Sequence, residues 1–180
     1  MATTLARAFA SDPALSYIFP DPATRPVKLM RFFELMLRSE ADPALTDIAG
    51  EHAAAVWRSP GKWQTTRLTM LRLALPMLTA FGSALPRALR LQGLLEAHHP
   101  AEPHWYLEFL GCDPAFQGKG FGGAAARARL ACCDDQRLPA ALETATASNV
   151  PLYAALGFTV TDEFDVPGGP HFWGLWREPR

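Results

Sequence analysis

The sequence predicts an α/β domain of the α+β kind, a mixed, twisted sheet flanked by helices with a helical insert ahead of its central strand. Three observations predict it. From Trp105 onward, stretches with strand-like alternation take turns with helical stretches. A run of glycines joins the first of those strands to the first of those helices. Upstream, leucines and methionines recur every three or four residues over a long stretch before Trp105. With 180 residues and 49% hydrophobic content the chain can bury one substantial core, so residues 1–180 are expected to form a single domain.

Each element has its own signal. Leu5 to Phe19 and Val27 to Ser39 carry apolar residues at helical spacing, separated by the breaker-rich Pro20-Asp21-Pro22-Ala23-Thr24-Arg25-Pro26. Leu45 to Ala49 and Ala53 to Trp57 read as short strands around a Gly50-Glu51-His52 turn. The helical insert, about 65–98, is divided by Pro76, Gly82 and Pro86 into two or three helices. Then come a strand over Trp105 to Cys112, a glycine loop, a helix over Phe121 to Asp134 and a strand over Ala140 to Thr144. A short helix over Val150 to Leu156 leads to strands over Phe158 to Asp165 and His171 to Arg177. Strand, helix, strand succession favours a parallel pair, and the last two strands are close enough for an antiparallel hairpin turned by Pro167-Gly168-Gly169-Pro170.

Composition narrows the function. With 17 basic and 18 acidic side chains the net charge is -1, too little positive charge for a general nucleic-acid binder. The apolar stretches are interrupted by Arg67, Arg72, Pro76 and Pro86, so no membrane span is expected. The start, Met1 to Ala10, has no signal-peptide pattern, and three cysteines without paired spacing fit a reducing compartment. A soluble, cytoplasmic protein is expected, a monomer or homodimer. His98-His99 lacks a third ligand nearby, so no metal is expected.

Gln117-Gly118-Lys119-Gly120-Phe121-Gly122-Gly123 opens a helix after a strand, which leaves several amide N–H groups without intrahelical partners. Glycines let a phosphate approach those amides, and the helix dipole adds attraction, so a pyrophosphate is the expected guest. Gly118, Gly120 and Gly123 also satisfy G-x-G-x-x-G, and Glu143 lies twenty positions after Gly123, as a dinucleotide-binding fold requires. Against that reading, Asp113 to Gln117 separate the strand from the first glycine, and only 57 residues follow Gly123. A P-loop fails because Lys119 is followed by Gly120 rather than Ser or Thr. A glycine-rich helix entry needed only for close packing is the plain alternative.

Leu110-Gly111-Cys112-Asp113-Pro114 followed by Gln117 to Gly122 resembles the acetyl-CoA signature of the GNAT superfamily of N-acetyltransferases. Leu142-Glu143-Thr144, Asn149-Val150-Pro151-Leu152-Tyr153 and Leu156-Gly157-Phe158 resemble that family's following strand, asparagine, tyrosine-bearing helix and terminal G-F. Pro100 to Trp176 is similar to the subgroup containing puromycin N-acetyltransferase, including Glu102-Pro103 and the Val166 to Pro170 hairpin. The family usually places a strand before its first helix, whereas here the amphipathic run begins at Leu5, so an irregular sheet edge is expected.

The resemblance implies an enzyme moving acetyl from acetyl-CoA directly to an amine. It implies that the pantetheine arm pairs with Leu110, Gly111 and Cys112, that the pyrophosphate sits on Gln117, Gly118, Lys119, Gly120, Phe121, Gly122 and Gly123, and that Asn149 and Tyr153 reach the cofactor. A backbone N–H near Leu110 to Cys112 would stabilise the oxyanion, and Tyr153 would protonate the departing thiolate. Tyr153 and Asn149, four apart, share a helical face. As ordinary structure, Tyr153 would be a core tyrosine and Asn149 a helix cap. Glu108 is the carboxylate inside the central strand. Alternation places it with Tyr106, Leu110 and Cys112, and half-buried it would have a raised pKa suited to a base. An exposed strand charge is the alternative, and His104 or water is a second candidate base. Lys119 has an equal alternative as a solvated surface lysine, and Cys112 reads as a small buried residue rather than a nucleophile.

The acceptor is expected across the sheet from the glycine loop, among segments carrying Phe9, Tyr17, Phe19, Trp63 and Trp173. A small-molecule amine fits these apolar residues, which core packing would also explain. A non-catalytic acetyl-CoA sensor and a protein amine acetyltransferase are the other classes.

Overall fold

The computed structural model describes residues 1–39, 46–62 and 75–180. Six strands form one sheet in the order β1-β2-β3-β4-β6-β5. They are β1 (Thr46–Ala49), β2 (Ala53–Arg58), β3 (Trp105–Cys112), β4 (Ala140–Thr144), β5 (Thr159–Asp165) and β6 (His171–Arg177). The only parallel contact among them is β3 with β4, and every other pair is antiparallel. The expected mixed sheet, its parallel pair and the terminal hairpin are all present, and β6 inserts between β4 and β5.

The single helix expected over Leu5 to Phe19 is two helices, α1 (Ala2–Ala8) and α2 (Pro13–Ile18). Asp12 makes the break. Its Oδ1 accepts from the Leu15 amide at 2.9 Å while Pro13 occupies the first turn, and both features start a helix rather than continue one. α3 spans Arg25–Ser39 and opens earlier than expected, because Asp21 turns the chain by accepting from Ala23 N and Thr24 Oγ1. In the insert, α4 covers 75–81, a 3₁₀ turn covers Gly82–Ala84, and α5 spans Leu85–His98. The expected start of the insert, with Trp63, Arg67 and Arg72, lies outside the described residues. α6 (Phe121–Gln136) and α7 (Val150–Ala155) complete the domain.

Two apolar clusters sandwich the sheet. Leu5, Ile18, Phe19, Leu29, Phe33 and Leu91 pack α1, α2, α3 and α5 onto Ala54 and Val56 of one face. On the other face Ala126, Leu130 and Cys133 of α6 and Tyr153 of α7 pack onto Trp57, Trp105, Leu107 and Leu142. Burial of these side chains, at about 1.5–3 kcal/mol for each large one, is the main favourable term. Among the described residues the chain enters directly on α1, and β1 forms the edge of the sheet. No described helix is long and apolar enough to cross a membrane.

Candidate active site

β3 and β4 touch for only two registered pairs, Trp105 with Ala140 and Tyr106 with Ala141. Beyond them the two strands separate, so the backbone groups of β3 that face β4 have no strand partner from Leu107 onward. The other edge of β3 is paired with β2 from Tyr106 to Cys112, with one register shift at Glu108. A cleft with a hydrogen-bonding wall results.

At the end of β3, Asp113 turns the chain away. Its side chain accepts from Ala115 N at 3.0 Å and pairs with Arg7 at 2.8 Å, while its amide donates to His52 O at 2.8 Å. Pro114–Phe116 form a 3₁₀ turn, and Gln117 returns its Nε2 to the Cys112 carbonyl at 3.3 Å. Gly120 then caps α6 in the left-handed region at φ 84°, and no side chain caps the helix. The first helical bond inside this turn runs from Ala124 N to Gly120 O at 2.9 Å, so the amides of 121–123 precede the ladder. The Gly122 amide faces the Cys112 thiol. Gly118, at φ 74°, and Gly120 have nothing within 4 Å of where a Cβ would stand. There is room around these two glycines, and the amides that precede the ladder make this helix N-terminus suited to an anion. Lys119 lies 5.0 Å from the Phe116 ring, and Phe116 stacks on His52 at 3.6 Å, which steadies the loop.

Glu108 occupies a β-bulge. Phe109 is registered with Val56 and Leu107 with Trp57, so Glu108 is the extra residue. The expected alternation therefore fails at this point: Leu110 and Cys112 pack with the α6 cluster, and Phe109 packs with the α3 cluster. Glu108 shares its face with Tyr106 instead, where Arg58 grips both its oxygens at 2.9 and 3.2 Å. Burial raises the Glu108 carboxyl pKa and the Arg58 guanidinium opposes that shift. The pair arises because Arg58 and Tyr106 are registered partners, a contact between segments that are far apart in the chain.

Tyr153 stands on the opposite face, buried against Phe158 at 6.1 Å. Burial first, and then the nearby Asp12 charge, push its phenol well above the usual tyrosine range. Asn149, at the start of α7, makes no side-chain capping bond, so its amide side chain is not used as a cap. Leu110 and Gly111 lie on the cleft strand. A Cβ on Gly111 would stand 2.8 Å from Leu5 Cδ2 and 3.0 Å from Ala8 Cβ, so glycine there lets α1 close onto β3. Of the aromatic residues expected around the acceptor, Phe19 is fully buried core and Phe9 packs against Phe33 and Phe109. Tyr17 and Trp173 remain partly exposed.

Two polar groups escape sequence reading. Arg58 sits at the end of an apolar strand and gives no local signal, and Glu143 drew notice for its spacing from the glycines and its place in Leu142-Glu143-Thr144, not as a site residue. Glu143 is almost fully buried on the Tyr106 face of β4, opposite Gly174 of β6. No group of His, Cys, Asp and Glu among the described residues is arranged to hold a metal ion.

Residues 80–158 match the model of the Acetyltransferase (GNAT) family, a span that holds α5, the cleft strands, the glycine loop, α6 and α7. A crystal structure described as histone acetyltransferase HPA2 and related acetyltransferase, from Corynebacterium glutamicum, is similar at 25% identity and a TM-score of 0.70, covering 99% of this chain and 89% of that one. Arylalkylamine N-acetyltransferase 2 from Aedes aegypti is similar in fold at 13% identity, with a TM-score of 0.59 over 99% of this chain and 92% of that one. Naa20 from Chaetomium thermophilum, solved with a bisubstrate analogue, is similar at 10% identity and 0.54, over 82% and 73%.

Proposed function

We propose that the chain is a member of the GNAT acetyltransferase family, whose model matches residues 80–158, and that it moves the acetyl group of acetyl-CoA directly to the primary amine of a small molecule. Within the family we infer kinship with the branch that includes puromycin N-acetyltransferase, on Glu102-Pro103 and the Val166 to Pro170 hairpin. The observation that carries the reading is the meeting of two unpaired backbone surfaces, the β4-facing edge of β3 and the amides opening α6. Acetyl-CoA supplies an activated acyl group on a thiol leaving group. Everything else falls to the chain.

The amides of Gly118 to Gly123 hold the diphosphate, Gln117 fixes the loop to β3, and Lys119 adds charge beside it. The edge of β3 at Leu110, Gly111 and Cys112 aligns the pantetheine arm, and one amide of that edge faces the acetyl oxygen as charge develops on it. Asn149 reaches the arm from the start of α7. Tyr153 acts from the α6 side, protonating the thiolate, because a buried phenol stays protonated at neutral pH. Glu108 acts from the other side, where its charge and that of Glu143 draw an ammonium toward the cleft. Acid and anion thus approach the cleft from opposite faces of the sheet.

Small amines are favoured because the Tyr106 face combines two carboxylates with aromatic and imidazole rings at close quarters. A panel of arylalkylamines, polyamines, amino-nucleosides and peptides with free N-termini, read by thiol release from acetyl-CoA, tests activity and class together. Turnover confined to small amines supports the proposal. Turnover confined to peptides makes the chain a protein acetyltransferase, and heat-silent titration with acetyl-CoA would sink the reading altogether.

A further inference from the structure

A connected chain of buried polar side chains borders the cleft on the face that Tyr153 does not occupy. His104, 3% exposed, places Nδ1 2.6 Å from the Glu102 carbonyl oxygen. Its Nε2 lies 3.0 Å from Nε2 of His99, and Nδ1 of His99 lies 3.4 Å from Oε1 of Glu143. The His99 and Glu143 side chains are 2% and 4% exposed. Tyr106 faces the same carboxylate: burial first, then the Glu143 and Glu108 charges and a hydrogen bond from the Tyr106 hydroxyl to Glu143, push the phenol pKa well up. Oε2 of Glu143 is buried and has no hydrogen-bond partner among the described residues.

Proton counting gives this chain a defined state. A carbonyl only accepts, so His104 Nδ1 must carry a proton. Only one proton can lie between the two Nε2 atoms, and one must lie between His99 Nδ1 and Glu143 if that contact is to be favourable. All three contacts are satisfied together when the cluster holds a single proton beyond two neutral imidazoles and a carboxylate, although burial lowers the His104 pKa and so favours the loss of that proton. Removing it leaves a net negative cluster that can take one back.

Position supplies the purpose. Glu143 lies two residues beyond Ala141, the last β4 residue paired with β3, and its registered partner on β6 is Gly174. Glu108 is the competing carboxylate, but Arg58 already occupies both its oxygens. The geometry points to Glu143 as the catalytic base that deprotonates the acceptor amine, with His99 and His104 as positioning residues that share the proton it takes. The assignment rests on the acetyl-transfer reading above. In the step, one N–H bond of the ammonium breaks and its electron pair stays on nitrogen, while the proton passes to Oε2. The neutral amine then attacks the acetyl carbon. A general base acts in its unprotonated form, so kcat/KM rises with pH on an acid limb. The other charged or titratable groups facing this cluster are Tyr106, Glu108 and Arg58 from β3 and β2 and Glu102 before β3, with His98 and Asp162 paired at 2.7 Å nearby on α5 and β5.

The test compares wild type with Glu143→Gln, whose amide oxygen can still accept from His99 Nδ1 and which preserves the packing. With tyramine as acceptor, thiol release followed between pH 5.5 and 9.5 should show kcat lowered by about 100-fold. The acid limb should be lost, while KM for acetyl-CoA changes little. Glu108→Gln should keep the limb, and His99→Gln should displace it with a smaller fall in kcat. An unchanged limb in Glu143→Gln overturns the assignment. A second readout needs no turnover: proton NMR of the imidazoles in the resting protein should show His104 titrating at lower pH in Glu143→Gln, because the Glu143 charge is one of the influences that hold it up. An unmoved His104 resonance refutes the connected cluster. Wild type silent toward every amine refutes acetyl transfer instead, and the imidazole titration still decides the cluster.

Discussion

Tyr153 owes its proposed role to two environmental effects that act in the same direction. Burial against Phe158 and the charge of Asp12 both disfavour the phenolate, so the hydroxyl enters every turnover carrying its proton. Tyr153→Phe keeps the ring in the apolar cluster and removes only the acid. Turnover should fall by about 100-fold while calorimetric affinity for acetyl-CoA stays within a factor of two or so, and an unchanged kcat would remove Tyr153 from catalysis. Asp12 itself is half-buried, capping α2 and accepting from Thr146 Oγ1 at 3.4 Å, which ties the second helix to the segment before Asn149. Tyr153 and the loop glycines were singled out because their spacing is local and resembles the family signature. The partner of Glu108 was not, since nothing near Arg58 says which strand it will face or that a bulge will turn Glu108 toward it.

Elements were legible wherever periodicity and punctuation agreed. β3, β4 and β6 fall where alternation put them, and α6 begins at Phe121 because the glycines end there. α1 and α2 were fused in the sequence reading, since Asp12-Pro13 inside an amphipathic run looks like a continuing stripe unless the cap is weighed above the period. The bulge in β3 shows the same limit, because a single inserted residue leaves both flanking patterns intact while reversing the faces beyond it. The glycine turn makes a prediction at this scale. Gly120→Ala has room for its methyl, yet must hold φ 84°, at a cost of about 1–2 kcal/mol. Relaxing that strain would turn the α6 amides away from the diphosphate, so the Kd for acetyl-CoA by calorimetry should rise about tenfold with little change in helix content. Gly111→Ala acts differently. Its methyl would meet Leu5 and Ala8, so α1 must retreat and thermal stability should fall by about 1–3 kcal/mol.

The whole molecule is closed by its last strand. β6 sits between β4 and β5, and Arg177 at its end is 4% exposed. Its guanidinium donates to both oxygens of Asp134, at 2.7 and 2.8 Å, and to the Leu156 carbonyl at 3.1 Å. One side chain thus joins the end of α6, the end of α7 and the end of β6, and the Arg180 amide adds a further bond to Asp134 at 2.8 Å. No local pattern announces this, because the three segments become neighbours only once the sheet order is set. Arg177→Met keeps the stem and removes the donors, leaving the Leu156 carbonyl buried without a partner, so stability by denaturant titration should fall by about 2 kcal/mol. The same contact sets a pH response. The Arg177 hydrogen bonds hold the Asp134 carboxyl below its ordinary value of 3.8, so its folded pKa lies under its unfolded one. Such a group adds stability that is present above the unfolded value and is lost as pH falls through the folded one. Wild type should therefore lose thermal stability on acidification below about pH 4, whereas Asp134→Asn should start lower at neutral pH and show a shallower decline. Parallel acid profiles of melting temperature for the two proteins would mean that Asp134 does not couple folding to protons.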